Sequence, residues 1–167
     1  MPKITKENIL DLKKNEVFVF GSNSQGFHAA GAAGIAYAGL CGNSQNKANP
    51  DWIQREWSLP KGHESRIGNW AILGNSIGFQ KGKIGCSYAV VTIVKPGLLR
   101  SVSLGSIYHQ LFTLMDFASW NPEKEFLVTK IGCGYAGYEL SEIAQLFNKL
   151  PRIPENIHLP IEFIKLD

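Results

Sequence analysis

Two stretches of the chain join an apolar run to a glycine-rich turn and then to a helix-forming pattern. The first is Val17-Phe-Val-Phe-Gly-Ser-Asn-Ser-Gln-Gly-Phe-His28, and the second is Phe126-Leu-Val-Thr-Lys-Ile-Gly-Cys-Gly-Tyr-Ala-Gly137. A helix N-terminus presents unpaired N–H groups and a partial positive charge, which suits a phosphate. The second turn matches G-x-G-x-x-G and stands between a predicted strand and a predicted helix, as that fingerprint requires. Too little chain follows Gly137 for a dinucleotide-binding Rossmann domain, so a phosphate-binding turn is the functional reading. The alternative is that the glycines only tighten a turn where strand and helix pack closely. Gly134 is the position where a β-branched side chain is expected to block backbone approach and to resist a positive φ.

The first turn offers Gly21 and Ser22 to a ligand, and Asn23 and His28 to chemistry. Asn23 is a neutral donor and acceptor at a strand end, suited to a ribose hydroxyl or a phosphate, or to an Asx turn on its own backbone. His28 titrates near neutral pH and is a candidate phosphate contact or general base; the alternative is a helix-start histidine satisfied by a carbonyl. Cys133 lies in the second turn near a helix start, where a thiolate gains stability, but a small buried thiol fits equally well. No histidine or carboxylate pair has metal-ligand spacing, so no metal and no cofactor is expected. Trp52, Trp57 and Trp70 accompany Lys47, Arg55, Lys61 and Arg66. Such interleaving can stack bases and hold phosphates, or it can pin a loop to the body.

The elements around these turns read as a single α/β domain over residues 1–167. Glu16–Phe20, Asn69–Phe79, Ser87–Val94, Glu125–Thr129 and Ile161–Ile164 are predicted strands. Thr5–Lys14, His28–Leu40, the run opened by Ser103 and stopped at Asn121-Pro122, and Leu140–Leu150 are predicted helices. The segment 41–69 is a long polar insertion, with a helical turn at 51–57, and is expected to be mobile and to form a lid or wall of the cleft. Strands interleaved with helices argue a three-layer α/β/α sandwich with a mixed sheet.

The chain has 167 residues, 44% hydrophobic and 19% charged, which excludes a disordered tail, a coiled coil and a collagen-like rod. A net charge of +3 does not argue for nucleic acid. The chain has no 18-residue apolar run for a membrane span and no secretory pattern at Met1–Asp11. Three unpatterned cysteines, Cys41, Cys86 and Cys133, fit free thiols in a reducing cytoplasm.

Four blocks together carry a resemblance: Val17 to Asn23, Gly26-Phe-His-Ala-Ala-Gly-Ala-Ala33, Gly85-Cys-Ser-Tyr-Ala-Val-Val-Thr92, and Thr129 to Gly137. In this order they are similar to small macro-domain-like proteins of bacteria and phages. The resemblance implies a macro-like fold with an ADP-ribose-type cleft at the strand carboxyl ends. It implies a diphosphate wrapped by Gly132, Cys133, Gly134, Tyr135, Ala136 and Gly137, and a distal ribose near Asn23 or Gly31. The implied activity is binding of ADP-ribose or a related nucleotide diphosphate, or its hydrolysis with Asn23 and His28 as catalytic candidates. A nucleic-acid or protein interaction module on the same fold, using the Trp-rich insertion, is the alternative.

Overall fold

Val17 to Phe20 are buried in succession, with no polar residue between them. A strand of this kind must be covered on both faces, as in a parallel sheet under helices. The computed structural model describes residues 2–39 and 53–164 and places this run at the centre of a six-stranded sheet. In chain order the elements are β1 (Lys3–Ile4), β2 (Glu16–Asn23), α1 (Gly31–Ala38), α2 (Gln54–Trp57), β3 (Gly78–Lys81), β4 (Cys86–Ile93), α3 (Leu104–Trp120), β5 (Glu125–Val128), α4 (Leu140–Lys149) and β6 (Ile157–Leu159). The sheet order is β1-β6-β5-β2-β4-β3. All pairings are parallel except that of β3 with β4, which makes the sheet mixed.

Period-2 alternation divides the strand side chains between two faces. Val17, Val19, Val90, Phe126 and Val128 pack against Ile107, Leu111 and Leu114 of α3 and Ile143 and Phe147 of α4. Phe18, Phe20, Ala89 and Leu127 pack on the other face against Ala33 and Ala36 of α1, with Ile9, Trp70 and Ala71. Ser103 caps α3 by accepting the Ser106 N–H at 3.1 Å, and Asn121 ends it. Glu139 and Glu142 form a capping box at the start of α4. No helix among the described residues is long and apolar enough to cross a membrane.

Three expected elements differ. Residues 5–14 form no helix: Asn8 has φ 53°, which interrupts any helical turn there, and Thr5 instead continues from β1 by donating to Leu159 O. The run 69–79 is strand only from Gly78. Its Trp70, Ala71 and Leu73 are buried, yet the Asn69 and Trp70 N–H groups bond the Tyr37 and Ala36 carbonyls at the end of α1, and the Ile72 N–H bonds the Gln80 side chain. The last strand is Ile157–Leu159, and Ile161–Phe163 is a single 3-10 turn after Pro160.

Candidate functional site

The parallel strands β2, β4 and β5 end at one edge of the sheet, and β2 lies between the other two. The two glycine turns therefore leave neighbouring strands, at the edge where open α/β sheets hold ligands. Between them lies a cavity of about 460 Å³, within the usual range for small-molecule sites. Gly21, Ser22 and Asn23 line it from β2, Phe27 and Ala29–Ala33 from the start of α1, Thr92, Ile93 and Pro96 from the end of β4, and Thr129–Gly132 with Gly134–Ala136 from the second turn.

Glycine is required where the two turns meet. A Cβ at Gly21 would stand 2.9 Å from Thr92 Oγ1 and 3.7 Å from the Gly132 nitrogen. Gly132 has φ 77°, and a Cβ there would meet Ile143 Cδ1 at 2.9 Å. Gly134 differs from expectation: its φ lies outside the left-handed region and a Cβ there would point into open space. The conformational demand falls on Gly132 and Gly137 instead.

The turn is closed by Tyr138 N–H to Gly132 O at 3.0 Å and Gly137 N–H to Gly134 O at 3.1 Å, while Arg100 N–H holds Ala136 O at 2.7 Å. Among the described residues, the N–H groups of Gly132, Gly134, Tyr135 and Ala136 are left without an acceptor. Across the cavity, the first bond of α1 is Gly34 N–H to Ala30 O, so the Gly31, Ala32 and Ala33 N–H groups precede the helical ladder. Ala30 supplies no capping side chain. Seven backbone donors thus belong to residues that line one cavity. The Tyr135 ring is two-thirds exposed and reaches across the cavity: its Cε2 would lie 3.2 Å from a Cβ on Gly31. Lys130 is the charged residue of the lining among the described residues, and its Nζ pairs with Glu162 at 2.9 Å.

Asn23 lines the cavity, but its amide holds the turn. Oδ1 accepts the Gln25 and Phe27 N–H groups at 3.1 and 3.0 Å, and Nδ2 donates to Phe27 O at 3.0 Å. This is the Asx-turn alternative. Ser22 donates its hydroxyl to Ser76 O. His28 does not reach the cavity. It is fully buried, with its ring edge-on to Phe20 at 5.3 Å and its Nε2 2.9 Å from Asn75 O. Burial lowers its pKa to about 4, so the ring is neutral, and Nδ1 has no partner. Cys133 is half-buried against the larger core, with Sγ 3.4 Å from Ile131 O, and burial pushes its thiol up to about 11. Neither Cys133 nor Gly137 lines the cavity.

The part of the insertion within the described residues is anchored. Ile53 and Arg66 are buried, and Trp57 stacks on Phe27 at 4.9 Å. Of the segment 41–69 expected as a lid or wall, residues 41–52, with Cys41, Lys47 and Trp52, lie outside the described residues.

Sequence reasoning missed two features. Thr92 joins the lining because β4 ends beside β2, which only the sheet order reveals. A second cavity of about 760 Å³ adjoins the first and shares Gly31, Ala32, Thr129 and Lys130 with it. Its far wall is Thr5–Ile9, the segment read from sequence as helix.

No protein-family model matches the chain, and neither does any curated protein.

Proposed function

We propose that the protein binds ADP-ribose or a closely related nucleotide diphosphate on a macro-like fold. The observation that carries this reading is the convergence of two groups of unpartnered backbone N–H donors, from Gly31–Ala33 and from Gly132, Gly134, Tyr135 and Ala136, on one cavity at the strand carboxyl ends. Backbone amides and a helix start neutralise a diphosphate without a cluster of basic side chains. The adjoining cavity gives a nucleoside a place beside the diphosphate, with apolar wall from Ile9, Phe18 and Ile35. The mixed sheet and the order of the four resembling blocks support the same fold assignment.

Binding is favoured over hydrolysis. The lining of the first cavity among the described residues holds no carboxylate, histidine or cysteine to move a proton, and His28 is turned into the protein. Titration calorimetry with ADP-ribose, NAD, AMP and a short oligonucleotide tests the proposal. ADP-ribose should bind with one-to-one stoichiometry and, at 100 times its dissociation constant, stabilise the fold by about 2.7 kcal/mol. Heat from the oligonucleotide and none from ADP-ribose would favour an interaction module and overturn the reading.

A further inference from the structure

Between Gly26 and Ala33, only Phe27 and His28 carry side chains larger than a methyl group. This segment nevertheless sets the position of the α1 N-terminus, which has no capping side chain and begins at Gly31 with φ 62°. Glycine and uncapped ends make such a start intrinsically weak. Its place comes from the Asn23 amide on the Phe27 backbone and Ala33 in the core, together with those two side chains and what holds them.

Each is held from outside the turn. His28 bonds Asn75 O, and Gly74 N–H bonds Gly26 O at 2.9 Å, so the stretch 72–76 fixes one side. On the other side the Phe27 ring stacks on Trp57, with centroids 4.9 Å apart and planes at 29°. The Arg66 guanidinium lies over the same indole at 5.0 Å from its centroid. Arg66 is buried and fixed by Nε to Leu73 O at 3.2 Å and Nη1 to Leu59 O at 2.8 Å. The insertion thus presents a guanidinium–indole platform, and of the two larger side chains the ring resting on it is the one that also lines the cavity.

We infer that Trp57, backed by Arg66, is a positioning residue for the nucleotide site: it holds Phe27, and through Phe27 the backbone donors of Gly31–Ala33, in the binding-competent place. Trp57 does not line the cavity, so it acts without touching the ligand. The affinity arm of the test rests on the nucleotide-binding reading above; the exchange arm does not.

Trp57→Leu keeps an apolar side chain and removes the ring, and Trp57→Phe keeps a ring that can stack. Amide hydrogen exchange of the ligand-free proteins should show the hydrogen-bonded amides of Phe27, Ala29 and Gly34 opening about ten-fold faster in Trp57→Leu, with 126–128 unchanged and Trp57→Phe close to wild type. If the competent arrangement falls to about a tenth of the population, the dissociation constant for ADP-ribose rises about ten-fold in Trp57→Leu and recovers in Trp57→Phe. Unchanged exchange at those three amides in Trp57→Leu overturns the inference. So does faster exchange spread evenly over the chain, which would mark a general loss of stability. If wild type takes up no ADP-ribose but the local exchange effect and its rescue appear, the positioning role stands and the nucleotide reading falls alone.

Discussion

Replacing His28 by Gln should remove a pH dependence that the buried imidazole imposes on the fold. The unfolded chain takes up a proton on this residue near pH 6.5, whereas burial holds the folded value down to about 4, only partly offset by the Asn75 and Ile72 carbonyls. Between those limits the unfolded state binds more protons, so stability must fall as pH falls. The contribution is fully present above pH 6.5 and is lost progressively toward pH 4. At 1.36 kcal/mol per pKa unit, the difference amounts to about 3 kcal/mol across that window, a slope of up to about 1.4 kcal/mol per pH unit. Urea unfolding at half-unit steps from pH 7.5 to 4.5 measures it for both proteins. Carboxylates titrate in both, so subtracting the His28→Gln profile isolates the imidazole. Parallel profiles would refute the reasoning, because they would mean that His28 takes up its proton equally in both states.

The glycines of the second turn should respond unequally. Gly132→Val places a side chain at φ 77° and against Ile143, so it should lower the melting temperature and abolish ADP-ribose binding, whereas Gly134→Ala should stay within about 0.5 kcal/mol of wild-type stability in urea unfolding. Cys133, with its thiol pushed up to about 11 from 9, should carry about 100-fold less thiolate than an unshifted thiol and react correspondingly slowly with iodoacetamide at pH 8, as mass spectrometry of the labelled peptide will show. Arg100 pairs both guanidinium nitrogens with Glu142, at 2.9 and 2.8 Å, and holds that carboxyl below its usual range. The contribution of the pair is present above the ordinary carboxylate pKa and is lost as pH falls through the lowered one, so an Arg100→Met protein should lose less stability than wild type between pH 6 and pH 3 in the same urea assay.

The central elements are legible because burial on both faces writes itself into the chain. Val17–Phe20 and Phe126–Val128 admit no polar residue, and α3 and α4 repeat their apolar positions with helical spacing. The short strands β1 and β6 are not legible, because two or three residues carry no period, and the apolar run 161–164 is a stronger signal than the true strand before it. Trp70, Ala71 and Leu73 look like strand residues because they are buried, but the Trp70 N–H bonds Ala36 O in α1, Ala71 O accepts the Gly68 N–H, and the Leu73 N–H bonds Arg66 O. The glycine turns are readable from residue type, whereas their convergence rests on β2 and β5 being neighbours, which the sheet order supplies. The direction of His28 does not, since the carbonyl that holds it comes from Asn75, 47 residues away, and nothing local chooses between core and cleft. Asn23 shows the converse: its bonds to residues 25 and 27 are local, and the Asx turn is readable from the residue type and its place.

A diphosphate held between the two groups of backbone donors is the central claim. Amide chemical-shift mapping of the nitrogen-15-labelled protein during titration with ADP-ribose reads this directly. The Gly31–Ala33 and Gly132–Ala136 resonances should move together and saturate at one equivalent, with the same dissociation constant as the calorimetric titration. Saturable binding that leaves both groups unmoved, with shifts confined to residues elsewhere, would contradict it.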